Sequence, residues 1–222
     1  MPIDKERTIN CYDTLAPFYS FFRKITHRYD NEVMPFVLNA LETGGGEVVL
    51  DAGTGPGIYA IKIAERAKNT NIYGVDLSPK FLELAKRNAN NAGLGGKINF
   101  IEADLEDLPF NDNRFDKLVC AGAMEAVPDK KRAAGELYRV LKHGGRAVII
   151  EPNRGKSIRD KAYLLMLYSL GLINPRLRGF GAKDIPRYYF NQDSFYDLFK
   201  RAGFSAISIV ERAGSFCAVC LK

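Results

Sequence analysis

The stretch that most constrains the fold runs from Val48 to Gly57, where an apolar run ends in Asp51 and three glycines follow at alternate positions. An apolar run, a glycine-rich turn and a helical pattern predict a buried parallel strand that feeds a helix. Glycine in such a turn tolerates positive φ and lets a ligand approach the bare backbone. Pro56 suits the first helical turn, where its missing N–H costs nothing. The stretch therefore predicts an α/β fold with a ligand site beside this turn.

Two features of the turn argue against a dinucleotide. Dinucleotide-binding turns carry the third glycine one residue later, where this chain has Ile58. A carboxylate at Asp51 would repel a pyrophosphate, but it suits a ligand with a positive amino group or a sulfonium. The alternative is a tight turn with no ligand. The pattern resembles motif I of the class I S-adenosylmethionine (SAM) methyltransferases, and this resemblance implies cofactor contacts at Asp51, Gly53, Thr54, Gly55 and Gly57.

A second acidic position fits a nucleoside cofactor. The next predicted strand ends at Asp76, about 20 residues beyond the glycine turn, a distance at which a carboxylate can accept hydrogen bonds from ribose hydroxyls. Ser78 and Pro79 already supply the cap and first turn of the following helix. Asp76, with Leu77 beside it, is therefore predicted to contact the cofactor.

The ends of the third and fourth predicted strands extend this site. By its resemblance to the same family, Asp104 would accept from the adenine amino group and the Leu105 N–H would meet a ring nitrogen. The alternative for this segment is a solvated acidic turn. Ala121 follows the fourth strand, at the edge where ligands of open α/β folds bind. Ala121 is a predicted cofactor contact and Met124 a predicted substrate contact.

Residues 1–43 carry an aromatic-rich segment before the first strand. Its pattern from Tyr12 to Tyr19 is similar to a segment that folds over the cofactor in many small-molecule methyltransferases. Tyr12 and Tyr19 are accordingly predicted to contact the cofactor. The alternative is a helix that only packs aromatic side chains on the core, and the two interpretations are compatible because lids are also packed elements.

The resemblance implies a complete architecture for the 222 residues. It is an α/β, Rossmann-like fold with seven strands in the order 3-2-1-4-5-7-6, strand 7 antiparallel, helices on both faces and a helical cap. We expect one methyltransferase domain over 1–222. It would comprise an N-terminal lid (1–43), a SAM-binding core (44–151), a basic cap insertion (152–190) and a C-terminal helix and hairpin (191–222).

The segment 152–190 is the part of the sequence that bears on the substrate. It holds eight lysines and arginines against two aspartates, a net charge of +6 that equals that of the whole chain. Its apolar run, 162–172, is too short to span a bilayer. One interpretation is a packing helix with solvated charges, and the other is a cap that admits an amphiphilic or anionic substrate at a membrane surface. Tyr163, Tyr188 and Tyr189 are predicted substrate contacts.

The inserted segment, the Tyr-containing stretch at 188–189, the following helix, the sequence Ala202-Gly203-Phe204 and the final hairpin together resemble the layout of the ubiquinone/menaquinone biosynthesis C-methyltransferases. This implies methyl transfer from SAM, with S-adenosylhomocysteine as product, to a small and lipophilic acceptor that is quinone- or lipid-like. No catalytic residue is identified. The alternative is a SAM-fold protein that binds or modifies RNA through its basic cap, since clustered Lys and Arg suffice for phosphate binding. The chain carries no recognised RNA-binding module, so nucleic acid is disfavoured.

Cysteine spacing bears on metal binding. Cys217 and Cys220 lie three apart on a predicted strand, so their side chains point to opposite faces. We therefore expect core cysteines and no metal site. The absence of a membrane-span pattern and of a signal-peptide pattern leads us to expect a cytoplasmic protein, peripheral at the membrane if the cap acts as an entrance.

Overall fold

A computed structural model describes residues 5–18, 27–153 and 190–222 of the chain. Within these residues, seven strands form one mixed sheet. The strands are β1 (Val48–Ala52), β2 (Asn71–Asp76), β3 (Ile98–Glu102), β4 (Phe115–Ala121), β5 (Leu141–Pro152), β6 (Ser205–Arg212) and β7 (Ser215–Leu221). The helices are α1 (Lys5–Leu15), α2 (His27–Leu41), α3 (Ile58–Arg66), α4 (Pro79–Asn91), α5 (Lys130–Val140) and α6 (Gln192–Ala202), with 3-10 turns at Ala16–Phe18 and Met124–Ala126.

The predicted strand order is confirmed as β3-β2-β1-β4-β5-β7-β6. Strands β1 to β5 pair in parallel, and β7 runs antiparallel to both β5 and β6. In the centre of the sheet, Leu50 of β1 pairs with Tyr73 on one side and Leu118 on the other. Because neighbouring parallel strands end at the same edge, the turns after β1, β2 and β4 are brought together there.

The sheet separates two apolar cores, as expected for a parallel sheet covered on both faces. Neighbouring residues of β1 serve opposite faces: Leu50 belongs to one core and Val49 to the other. Cys220 and Cys217 are divided in the same way, which confirms that the two thiols diverge. The core that contains Leu50 includes an aromatic cluster beneath α6, formed by Phe190, Phe195, Phe199, Phe204 and Phe216.

Two element boundaries differ from the sequence prediction. The helical pattern predicts a helix that starts at Asn31, whereas α2 begins at His27 and continues through Pro35. The glycines at 144 and 145 predict a break before a strand at Arg146, whereas β5 starts at Leu141, directly after α5. Leu141 is fully buried and pairs with Phe115, and the strand absorbs the glycines as an irregularity in its register with β4.

Among the helices that the structure describes, none is long and apolar enough to cross a membrane.

Removal of the Phe199 ring tests the aromatic core under α6. Phe199 is fully buried, so Phe199→Ala should lower the free energy of unfolding by about 3–5 kcal/mol, from lost burial and the cavity left behind. Tyr196 lies on the same helix and is 39% exposed, so Tyr196→Ala should cost only about 0.5 kcal/mol. Urea unfolding curves measure both. Equal losses in the two variants would contradict this description of the core.

Candidate cofactor-binding site

A cavity of about 160 Å³ lies at the carboxyl edge of the sheet. The turns that follow β1, β2, β3 and β4 form its walls, and α1 covers it. Nine of the residues predicted from the sequence line it: Tyr12, Gly53, Thr54, Gly55, Asp76, Leu77, Asp104, Leu105 and Ala121. The remaining lining residues include Lys5, Thr8 and Ile9 of α1 and five residues of the segment after β4, namely Gly122, Ala123, Ala126, Val127 and Pro128.

The glycine turn is shaped by two close approaches. Gly53 has φ +71°, and a Cβ built there would lie 2.3 Å from the Ala123 Cβ, so a side chain cannot be placed without moving the neighbouring turn. Gly55 has φ +51°, and a Cβ there would meet no atom within 4 Å. The backbone at Gly55 therefore faces open space, and the absence of a side chain leaves that part of the cavity free.

Asp51 lies behind the turn and does not line the cavity. Its carboxylate is 1% exposed and accepts hydrogen bonds from the Thr54 hydroxyl at 2.6 Å and the Ala60 N–H at 3.0 Å. Burial raises the pKa of Asp51 to about 7, although both hydrogen bonds oppose that shift. In this arrangement the carboxylate ties the glycine turn to the first turn of α3.

Asp76 lines the cavity and also holds its walls. Its Oδ2 accepts from the Gly55 N–H at 2.8 Å and its Oδ1 from the Ser78 N–H at 2.9 Å. Burial raises the pKa of this carboxyl, and the same backbone hydrogen bonds act in the opposite direction. Each carboxylate oxygen has a second lone pair, so the group can still accept from a ligand hydroxyl.

Asp104 follows β3 and lies at another end of the cavity. Its Oδ1 accepts from the Glu106 N–H at 2.9 Å, and its Oδ2 accepts from the Lys5 ammonium at 2.6 Å. The hydrogen bonds to Asp104 and then Glu106 raise the pKa of Lys5. No local pattern in the sequence indicated Lys5, because its partner lies 99 residues away.

Helix α1 is both packed and placed as a cover. The Tyr12 ring lies 6.0 Å from the Phe81 ring of α4 and lines the cavity. The Ser78 hydroxyl donates to the Asp13 carboxylate, and the Ser78 Oγ accepts from the Phe81 N–H as the predicted cap of α4. The packing interpretation of this segment is confirmed, and the same contacts set α1 beside the cavity; that it closes over the cofactor stays a prediction.

A buried acid, Glu151 at the end of β5, supports the opposite wall. Its Oε1 accepts from the Met124 N–H at 2.8 Å and its Oε2 from the Glu125 N–H at 3.2 Å. The sequence prediction did not include Glu151, although a charged residue that closes an apolar run is a signal that could have found it. Its two bonds fix the turn between β4 and α5, and residues on either side of the bonded pair, Gly122 and Ala123 before it and Ala126 to Pro128 after it, line the cavity.

Three predicted residues do not line the cavity. Besides Asp51 these are Gly57, where a Cβ would lie 3.0 Å from the Ala85 Cβ of α4, and Met124, which is fully buried in the core. Both contribute to packing in this structure. The predicted contacts of Tyr19, Tyr163, Tyr188 and Tyr189 lie outside the described residues.

Over residues 5–18, 27–153 and 190–222, no group of three or more His, Cys, Asp or Glu side chains could hold a metal ion.

The raised pKa of Asp51 predicts a signed pH effect on stability. The folded protein keeps the Asp51 proton up to about pH 7, whereas the unfolded chain releases it near 3.8, so stability is lost as the pH rises between these values. Asp51→Asn removes this titration. From pH 5 to pH 8, the variant should therefore gain on the order of 2 kcal/mol relative to wild type. Urea unfolding of both proteins across this range measures the difference.

Asp116 gives the matched control. Although burial opposes it, hydrogen bonds from Lys142 and the Val48 N–H hold the pKa of Asp116 below its ordinary value. Its stabilisation is lost only as the pH falls into that acidic range, so Asp116→Asn should differ from wild type by a constant amount between pH 5 and pH 8. Parallel profiles for Asp51→Asn and wild type would contradict the assignment to Asp51.

Comparisons with known proteins agree on one family. A family described as a methyltransferase domain matches residues 49–145. The ubiquinone/menaquinone biosynthesis C-methyltransferase UbiE of Geotalea daltonii is 31% identical over 203 residues, covering 90% of this chain and 85% of its own.

Solved structures show the same fold. A SAM-dependent methyltransferase from Aquifex aeolicus superposes with a TM-score of 0.65 at 19% identity, covering 90% of this chain and 95% of its own. Phosphoethanolamine N-methyltransferase 2 of Haemonchus contortus, solved with S-adenosyl-L-methionine, gives a TM-score of 0.61 at 21% identity, covering 80% of this chain and 37% of its own. The chain belongs to the class I SAM-dependent methyltransferases and, among them, is similar to the ubiquinone/menaquinone biosynthesis C-methyltransferases.

Proposed function

We propose that this methyltransferase binds SAM in the cavity at the carboxyl edge of the sheet and methylates a ring carbon of a quinol-like acceptor. Neighbouring strands β1, β2 and β3 bring the glycine turn, Asp76 and Asp104 to one cavity. This convergence carries the proposal. Adjacent strands lie about 5 Å apart, so turns from three of them can contact successive parts of one nucleoside ligand.

The lining residues fit the adenosine half of the cofactor. Asp76 accepts from the ribose hydroxyls with the lone pairs that its backbone partners leave open. Asp104 accepts from the adenine amino group, and the Leu105 N–H serves a ring nitrogen. Tyr12 of α1 closes over this half of the ligand.

The glycine turn fits the methionine half. With nothing within 4 Å of a Cβ built at Gly55, the cavity there can take a ligand that lies against the backbone. The acids around the turn favour a cationic ligand over a pyrophosphate, and Asp51 acts through the turn by holding Thr54 and Ala60. Asp51 is thus a positioning residue in this proposal.

Bound SAM supplies an electrophilic methyl group on a sulfonium, whose leaving thioether is neutral and needs no acid. The work of the chain is therefore to bind, align and exclude water. The cavity residues that follow β4, Ala121 to Ala123 with Ala126 and Val127, are apolar, and Glu151 fixes their turn through the Met124 and Glu125 N–H groups. Helix α1 excludes water from the cofactor side.

The acceptor class follows from the relatives and from the charge of the chain. Two relatives that cover 90% and 96% of this chain are C-methyltransferases of ubiquinone and menaquinone biosynthesis. A reduced, hydroxylated ring is electron-rich, and its hydroxyl ionises more readily beside cations. The segment 152–190, with its net charge of +6, is the proposed cap over such an acceptor and the proposed contact with the membrane that holds it.

Methyl-labelled SAM tests the reaction. The purified protein should transfer label to a prenylated 1,4-naphthoquinol that lacks the ring methyl group, presented in detergent micelles, and not to the oxidised quinone, whose ring is electron-poor. Total cellular RNA, tested in the same way, represents the RNA alternative. Label in RNA alone would overturn the quinol assignment, and label in neither acceptor, despite SAM binding, would also reject it.

Gly55→Val should abolish measurable SAM binding, because the side chain fills the space left at the turn. Isothermal titration measures the affinity, which should fall at least about 100-fold. Gly46 is a matched control, since it also has positive φ, +85°, and open space around a built Cβ, but it does not line the cavity. Gly46→Val carries similar backbone strain and should bind SAM as wild type does. Equal affinities for all three proteins would reject the site.

A further inference from the structure

Lys5 of α1 joins the cover of the cavity to two carboxylates in the segment after β3. Its ammonium lies 2.6 Å from Asp104 Oδ2 and 2.5 Å from Glu106 Oε2. The Lys5 side chain is 41% exposed, whereas that of Glu106 is only 6% exposed. One cation therefore bridges an acid that lines the cavity and an acid that does not.

Glu106 is a fixed partner for Lys5. Its Oε1 accepts from the Asp129 N–H at 2.8 Å, which anchors the carboxylate at the start of α5. A buried carboxylate that loses its counter-ion is costly, so the pair between Lys5 and Glu106 should persist whatever the cavity holds. Asp104 differs because its Oδ2, which Lys5 contacts, belongs to the group proposed to bind adenine.

We propose that Lys5 is a positioning residue of the cofactor site: it latches α1 over the adenine end, and when the adenine amino group binds, Lys5 releases Asp104 and keeps its contact with Glu106. This inference rests on the proposed function of the cavity. Both acids then still have a partner, since Asp104 gains a hydrogen bond from the base while Glu106 keeps the ammonium of Lys5.

The other end of α1 explains why the latch acts locally. Asp13 accepts from Ser78, and Tyr12 packs on Phe81, so the C-terminal part of the helix is held against α4. The N-terminal part of the helix carries Lys5, whose ion pairs with Asp104 and Glu106 join it to the segment after β3. Loss of the latch should therefore expose the adenine end while the rest of the fold persists.

Hydrogen exchange of the α1 amides, with and without S-adenosylhomocysteine, tests the latch. Lys5→Met keeps the side-chain length but removes the charge, so exchange in α1 should be faster in both states. S-Adenosylhomocysteine should dissociate at least about threefold faster, as followed by stopped flow. Lys62 forms an exposed pair with Glu65 on α3, away from the cavity, so Lys62→Met is the matched control and should behave as wild type.

Glu106→Gln tests the release of Asp104 by Lys5 separately from the latch itself. The amide oxygen can still accept from the Asp129 N–H, but the counter-charge for Lys5 is gone. Without ligand, α1 should stay protected because Lys5 still holds Asp104; with S-adenosylhomocysteine bound, protection should fall. Wild-type protection in the liganded Glu106→Gln protein would contradict the proposal that Lys5 depends on Glu106 once Asp104 binds the ligand. Wild-type behaviour of Lys5→Met would contradict the latch. Failure of wild type to bind the ligand would instead reject the proposed function, since the unliganded comparison does not depend on it.

Discussion

The site depends on a carboxylate that the ligand itself need not contact. Asp51 is buried behind the glycine turn and bonds both the Thr54 hydroxyl and the Ala60 N–H. Because Asp51 lies on β1, Thr54 in the turn and Ala60 on α3, these two bonds tie the turn to the strand before it and the helix after it. Burial of this carboxyl group disfavours its charged form and raises its pKa to about 7.

The same device recurs around the cavity. Asp76 at the end of β2 bonds the Gly55 and Ser78 N–H groups, and Glu151 near the end of β5 bonds those of Met124 and Glu125. Three acids at strand ends thus accept hydrogen bonds from backbone donors that regular secondary structure leaves unpaired. Negative charge accumulates at this edge, although the chain as a whole carries a formal charge of +6. Such an edge suits a cationic sulfonium ligand.

The position of a candidate residue was predicted best where a strand end fixed it. Asp76 and Asp104 follow β2 and β3 directly, so knowledge of the strands sufficed to place both at the cavity. Met124 and Gly57 lie in the predicted turns but do not line the cavity. The Met124 side chain is buried in the core, and Gly57 packs against α4, because the neighbours of a residue in an irregular turn decide which way it faces. The predicted start of β5 at Arg146 was wrong, because burial of Leu141 outweighed the tendency of the glycines to end a strand.

By itself, the sequence determined the α/β class, the glycine turn and the strand-end acids, since these follow from local patterns of apolar residues, glycine and charge. With the family resemblance it also predicted the strand order. Only the tertiary structure decided that Asp51 faces the turn, that Glu151 supports the opposite wall and that Lys5 reaches Asp104 and Glu106. The Glu151 and Lys5 contacts join residues 27 and 99 positions apart, and packing of whole elements, which no local pattern records, brings them together. The Asp51 contacts are shorter in sequence, but the packing of α3 on β1 sets their direction.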